Sequence, residues 1–147
     1  MSDILGIALS GAAAATKRID ATASNLANQR TTGRLPDTKG ADAKGATGAA
    51  DSRAPYTPLT TSQSDLRTAN GQGAGTTAAL KPLSQPFVAE YDPSSSDANA
   101  EGMVGAPNVD TDQQVGQQIL GSRAYSASLS MVRTSSDMMK DLLSMKA

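Results

Sequence analysis

Residues 23–33 read ASNLANQRTTG, and the fold turns on how this stretch is interpreted. Its amides, hydroxyls and terminal glycine could form a ligand site, or they could mark where a helix stops and the chain turns into something else. The residues before it favour a helix. Leu5, Ala12, Ile19 and Leu26 recur every seven positions, with Ala8, Ala15 and Thr22 three places on and Leu9 and Ala23 widening the stripe. That is an a/d seam, and Leu26 is its last regular member. Ser2 or Asp3 suits the start, while Thr31-Thr32-Gly33 and then Pro36 supply a stop. Asn25 and Asn28, flanking Leu26, are placed for side-chain hydrogen bonds where the helix ends. The stretch therefore reads as a joint rather than an active site.

All seven prolines lie between Pro36 and Pro107. This divides the chain into three: residues 1–33 as an N-terminal helix and joint, 34–106 as an irregular middle, and 107–147 as a C-terminal helical arm. The last arm repeats the seam. Val115, Ser122, Leu129, Ser136 and Leu143 are spaced by sevens, Tyr125, Val132 and Met139 hold the second position, and Ile119 flanks them. Asp110 or Thr111 is the expected N-cap, with Asp112 suiting the helix dipole. In the middle, residues 40–53 and 70–77 read as flexible Gly-rich loops. Residues 56–61 and 80–91 have strand character, and Pro58, Pro82 and Pro86 restrict them to edges or short hairpins. The expected class is mainly α: two terminal helices in a hairpin-like coiled-coil layer, with short strands in an irregular middle.

Composition narrows the function. With one Phe, three Tyr and no Trp in 147 residues, the 38% hydrophobic fraction rests heavily on Ala, which buries little area. Apolar surface is therefore expected to be buried against other chains as well as within this one. A net charge of −1 offers no basic field for nucleic acid. Without Cys or His there is no disulfide, thiol nucleophile or commonplace metal ligand, so no cofactor or metal is expected. No apolar run reaches the roughly 18 residues of a bilayer span, and the N-terminus lacks the basic region of a cleaved signal. Asp97, Asn99, Glu101 and Gly102 mimic part of a calcium loop, but Asn108 stands where a bidentate carboxylate is required. Ser122 and Arg123 have no base beside them. A solvated turn and a packing seam are the better readings, and no enzyme is expected.

Taken together, SNLAN (24–28) followed by TTG (31–33) resembles the signature of bacterial flagellar axial proteins, the family of rod, hook and hook-associated subunits. Tyr91-Asp92-Pro93, residues 97–104 (DANAEGMV), Pro107-Asn108-Val109-Asp110 and Ser122-Arg123-Ala124-Tyr125 look like the proximal-rod members. The likeness covers both arms and the 91–110 segment. It departs at TDQQVGQQI (111–119), where the family usually carries a more acidic and apolar turn, and residues 34–90 match little. The resemblance implies a structural subunit of the basal-body rod in the periplasm, polymerising through its terminal helices, transmitting torque and leaving by the flagellar type III apparatus. It implies as partners proximal and distal rod proteins, rotor-ring and rod adaptors, the export apparatus and copies of itself, with no nucleic acid and no membrane insertion. A sibling proximal-rod protein of similar length and a secreted coiled-coil adaptor are the alternatives. The residues expected at assembly contacts are Leu5, Ile19, Ser24, Asn25, Leu26, Asn28, Pro107, Asn108, Val109, Val115, Ile119, Arg123, Tyr125, Leu129, Val132, Met139 and Leu143.

Overall fold

The computed structural model describes residues 2–35 and 54–145. The elements in order are α1 (Ser2–Ala27), β1 (Leu59–Arg67), β2 (Gly73–Pro82), β3 (Phe87–Tyr91), β4 (Met103–Pro107) and α2 (Thr111–Ser144). Helices stand at both ends as the seams predict, but the class is not mainly α. Four strands form two separate antiparallel pairs, β1 with β2 and β3 with β4. The loop expected over 40–53 and the stop at Pro36 lie outside the described residues.

The loop expected over 70–77 is overturned. Only the turn from Thr68 to Gln72 is loop, with Gly71 at φ +78° and the Gly71 amide donating to the Thr68 carbonyl at 2.9 Å. From Gly73 the chain is strand, pairing Thr76 with Asp65 and Thr77 with Ser64. Gly75 there serves close approach instead of flexibility. Gly75, at φ +120°, faces Leu66 where the register shifts, and a Cβ on it would collide with the Ser10 hydroxyl.

That contact shows what the hairpin does. Ser10, Arg18 and Asn25 lie seven or eight apart on α1 and all reach the hairpin. Thr76 N donates to Ser10 Oγ at 3.0 Å, Arg18 donates to Gln63 Oε1 at 3.0 Å, and Asn25 grips Leu59. On its other side α1 meets α2 antiparallel, with Gly11 against Ser128 and Ile19 against Gly121. α1 is thus the middle layer, and its small side chains let two elements approach at once. The arms pack on each other within one chain, although the narrow small-residue seams favoured packing between chains.

The core that results is thin. Its buried apolar residues are Ala12, Ala14, Ala15, Ala21, Ala78, Val104 and Ala106. Two of the four largest fully buried side chains, Asn25 and Ser135, are polar. Burying an alanine methyl contributes on the order of 1 kcal/mol, so satisfied polar contacts have to fix the geometry. Among the described residues no buried side-chain N or O lacks a partner.

On α2 the row turned to α1 is Gln114, Gly121, Ser128 and Ser135, with Gly121 and Ser135 buried. The row one place later stays more open, Val115 at 40% and Leu143 at 72% exposure. The helix starts at the expected cap: Asp110 Oδ1 accepts from Asp112 N at 3.0 Å and Gln113 N at 3.2 Å. Asp110→Ala is expected to lower stability by about 1 kcal/mol, read as a lower urea midpoint with an unchanged m value.

Candidate functional site

The joint at the end of α1 draws the most distant parts of the chain together. Asn25, 2% exposed, uses its whole amide. Its Oδ1 accepts from Leu59 N at 2.7 Å and from the Tyr56 hydroxyl at 3.1 Å. Its Nδ2 donates to the Leu59 carbonyl at 2.7 Å and to Gln114 Oε1 at 3.0 Å. Two donors and two acceptor sites is all a carboxamide has. A single side chain therefore binds α1 to the first residue of β1 and to the first turn of α2.

The neighbouring motif residues finish the helix and steer the exit. Asn28 Nδ2 donates back to the Ser24 carbonyl at 2.9 Å, and Thr31 N donates to the Asn28 carbonyl at 3.0 Å. Thr111 Oγ1 donates to Gln29 Oε1 at 2.7 Å, fastening the start of α2. Gly33 then runs beside β4. Its amide donates to the Gly105 carbonyl at 3.0 Å, and the Gly105 amide donates to the Gly33 carbonyl at 2.8 Å. A Cβ on Gly105 would lie 3.0 Å from Pro55 Cγ. Tyr56 N donates to the Thr31 carbonyl at 3.2 Å. ASNLANQRTTG thus ties both sheets and both helices into one knot.

The 91–110 segment supplies the other half. Asn99 Oδ1 accepts from Glu101 N at 3.0 Å and Met103 N at 2.9 Å, and Gly102 sits at φ +76° against Tyr91 and Pro93. The carbonyl that resembled a calcium ligand is spent on backbone amides. No group of three or more acidic, His or Cys residues able to hold a metal occurs among the described residues. Asn108 closes the segment, its amide donating to the Pro86 carbonyl at 2.9 Å and its Nδ2 to the Gln85 carbonyl at 3.1 Å.

The expected contact residues divide into two groups. Asn25 and Pro107 are buried within the chain, and Leu5, Ile19, Ser24, Leu26, Asn28, Val109, Leu129, Val132 and Met139 are half-buried. Asn108, Val115, Ile119, Arg123, Tyr125 and Leu143 are exposed. Asn25 and Asn28 hydrogen-bond within this chain, while Val115, Ile119, Tyr125 and Leu143 of α2 stay open. Tyr56, Leu59, Gln114 and Gly105 were not legible as joint residues. The sole sequence signal was a second glycine, Gly105, among the apolar residues of MVGAP. Beside the joint, a cleft of about 490 Å³ opens over α1 between β1 and the first turns of α2. Ser122 and Arg123 are exposed on α2. No described helix is long and apolar enough to cross a membrane.

Comparison with known proteins agrees with this construction. The family described as flagellar basal body rod FlgEFG protein, C-terminal, matches residues 100–145, which are β4, the cap and α2. The flagellar basal-body rod protein FlgC of Agrobacterium fabrum is 32% identical over 133 residues, covering 90% of this chain and 85% of that protein. The chain belongs to the bacterial flagellar basal-body rod protein family, which places it in the flagellar basal body. The family and this relative are structural proteins of the rod, not enzymes.

Proposed function

We propose that the chain is a subunit of the proximal rod, built into the shaft by its terminal helices and carrying torque from the rotor toward the hook. The observation that carries this reading is the outer surface of α2. Val115, Ile119, Leu120, Met131, Met138, Leu142 and Leu143 are 40–72% exposed along one helix, in a chain whose buried core is mostly alanine. A helix with apolar residues beyond its own seam is a helix meant for further helices. Residues 1–33 and 107–147 would then form the axial layer, and residues 34–106 an outer layer against neighbouring subunits. Leu5, Ile19, Leu26, Val109, Val115, Ile119, Arg123, Tyr125, Leu129, Val132, Met139 and Leu143 are the side chains proposed to meet neighbours or brace those that do. Ser24, Asn25, Asn28, Pro107 and Asn108 fix the angle between layers.

A heterologous contact that does not close generates such a shaft. The neighbours are copies of this chain, other proximal and distal rod proteins and the adaptors joining rod to rotor ring. Delivery is by the flagellar type III apparatus, ending in the periplasmic rod. A thin alanine core suits export, because the chain that must pass through unfolded gives up little when it does so. Deleting the gene should abolish swimming and leave basal bodies without a rod in electron micrographs. Normal swimming with an intact rod would overturn the proposal.

A further inference from the structure

The chain has five asparagines, and the structure sets one of them apart. Asn25 has its whole carboxamide engaged. Asn28 Nδ2 donates to the Ser24 carbonyl, Asn99 Oδ1 accepts from Glu101 N and Met103 N, and Asn108 Nδ2 donates to the Gln85 carbonyl. Asn70 stands exposed at the tip of the β1–β2 hairpin, and its side chain makes no hydrogen bond among the described residues. It is also the one asparagine followed by glycine, the other four preceding Leu26, Gln29, Ala100 and Val109.

That following residue decides what an asparagine can do to itself. Its backbone nitrogen lies within reach of the side-chain carbonyl carbon, and a Cβ on it crowds the ring that would form. Gly71 has none, and nothing lies within 4 Å of where one would stand. It sits at φ +78°, with its amide donating to the Thr68 carbonyl at 2.9 Å on an open surface. Freeing the nitrogen costs one exposed hydrogen bond, and glycine rotates toward Asn70 with little steric cost.

We propose that Asn70 is a self-modification site, converted in the folded chain to aspartate and isoaspartate with water as co-reactant. Gly71 N gives its proton to hydroxide and forms a bond to Asn70 Cγ. The Cγ–Nδ2 bond breaks, Nδ2 leaves as ammonia, and a five-membered succinimide remains. Water then adds to one of the two imide carbonyls. Opening at Cγ restores the ordinary backbone with an aspartate, while opening at the backbone carbonyl routes the chain through Cβ and Cγ as isoaspartate. Either product adds one negative charge to a chain of net charge −1. Gln72-Gly73 shares the glycine but needs a six-membered ring, which closes more slowly.

Isoaspartate also lengthens the backbone of the turn by one methylene. Thr68 N donates to the Gln72 carbonyl at 2.9 Å and Gln72 N to Thr68 Oγ1 at 3.1 Å, and both bonds span the altered residue. The hairpin then frays from its tip toward the register shift between Leu66 and Arg67, while the Leu59 end keeps its hold on Asn25. This inference is independent of the rod reading.

The test ages the purified full chain at mildly alkaline pH, folded and in guanidinium chloride, and maps the exchange of NH for O by peptide mass spectrometry. The change should appear at Asn70 before any other amide, at a rate rising in proportion to hydroxide. The folded rate should lie within about tenfold of the unfolded one, the scale of opening a single exposed hydrogen bond. An isoaspartyl methyltransferase with a labelled methyl donor should label the aged chain and not the Asn70→Gln variant. In the labelled fraction, amide exchange should quicken at Thr68 and Gln72 and stay unchanged at Leu59. Earlier change at another amide, a folded rate below that tenfold range, label persisting in Asn70→Gln, or unaltered exchange at Thr68 and Gln72 would each overturn the proposal.

Discussion

Asn25→Ala is expected to lower the unfolding free energy by about 3 kcal/mol, the sum of several buried hydrogen bonds left unmade. The truncation removes the Asn25 partner of the Leu59 amide and carbonyl, the Tyr56 hydroxyl and the Gln114 side-chain oxygen. At this chain length the loss corresponds to roughly 10 °C in melting temperature. Asn25→Asp should cost nearly as much despite equal size, because a carboxylate keeps the bonds from Leu59 N and Tyr56 but turns an acceptor toward the Leu59 carbonyl. Asn28→Ala is the contrasting case. Its Nδ2 bonds only the Ser24 carbonyl four residues back, and a cost within about 1 kcal/mol is expected. Thermal melts of the three variants decide the matter. Similar small losses for Asn25 and Asn28 would show that the knot is not what holds the sheets to the helices. In the cell, Asn25→Ala should reduce rod assembly by lowering the folded population, with no activity to lose.

The contrast between these two asparagines marks how far the sequence could be read. SNLAN stood out at the end of a helical seam, and the cap at Asp110 was legible from local chemistry, while the helix itself ends at Ala27, before the stop expected at Thr31-Thr32-Gly33. Nothing local tells Asn25 from Asn28. Their difference lies in partners 31 to 89 residues away, which only the folded chain brings close. Strand was expected over 56–61 and 80–91, but the hairpin's full extent, Leu59–Arg67 with Gly73–Pro82, was missed for a related reason. A strand announces itself when one face meets a large apolar core, but the inner face of β1 and β2 lies on the small side chains of α1. Gln63 there binds Arg18, and Ala78 is the only buried residue of the pair. Outside are Thr60, Ser64, Thr77 and Lys81. A strand that needs no large apolar residue leaves little alternation to find. Gly75 then reads as slack when it serves contact.

The same logic sets the second large effect, at the crossing of the two helices. Gly121→Leu is expected to destabilise the chain by about 2–3 kcal/mol through overpacking. A Cβ at 121 would already lie 2.9 Å from Ile19 Cγ1 and 3.6 Å from the Ala15 carbonyl oxygen, so a leucine must push α2 off α1. Two comparisons separate overpacking from a general intolerance of glycine replacement. Gly116 has nothing within 4 Å of its would-be Cβ, so Gly116→Ala should raise stability by about 0.5–1 kcal/mol, the helix-propensity difference alone. Ile19→Ala in the Gly121→Leu background should recover part of the loss by opening the space that the leucine fills, a coupling of about 1 kcal/mol or more in a double-mutant cycle. Strictly additive effects would mean that the helices do not meet at this point. A recovered pair identifies close approach, and not glycine as such, as the property that α2 supplies. That property matters beyond the monomer, because helices held this near each other leave Val115, Ile119 and Leu143 turned outward on a fixed line.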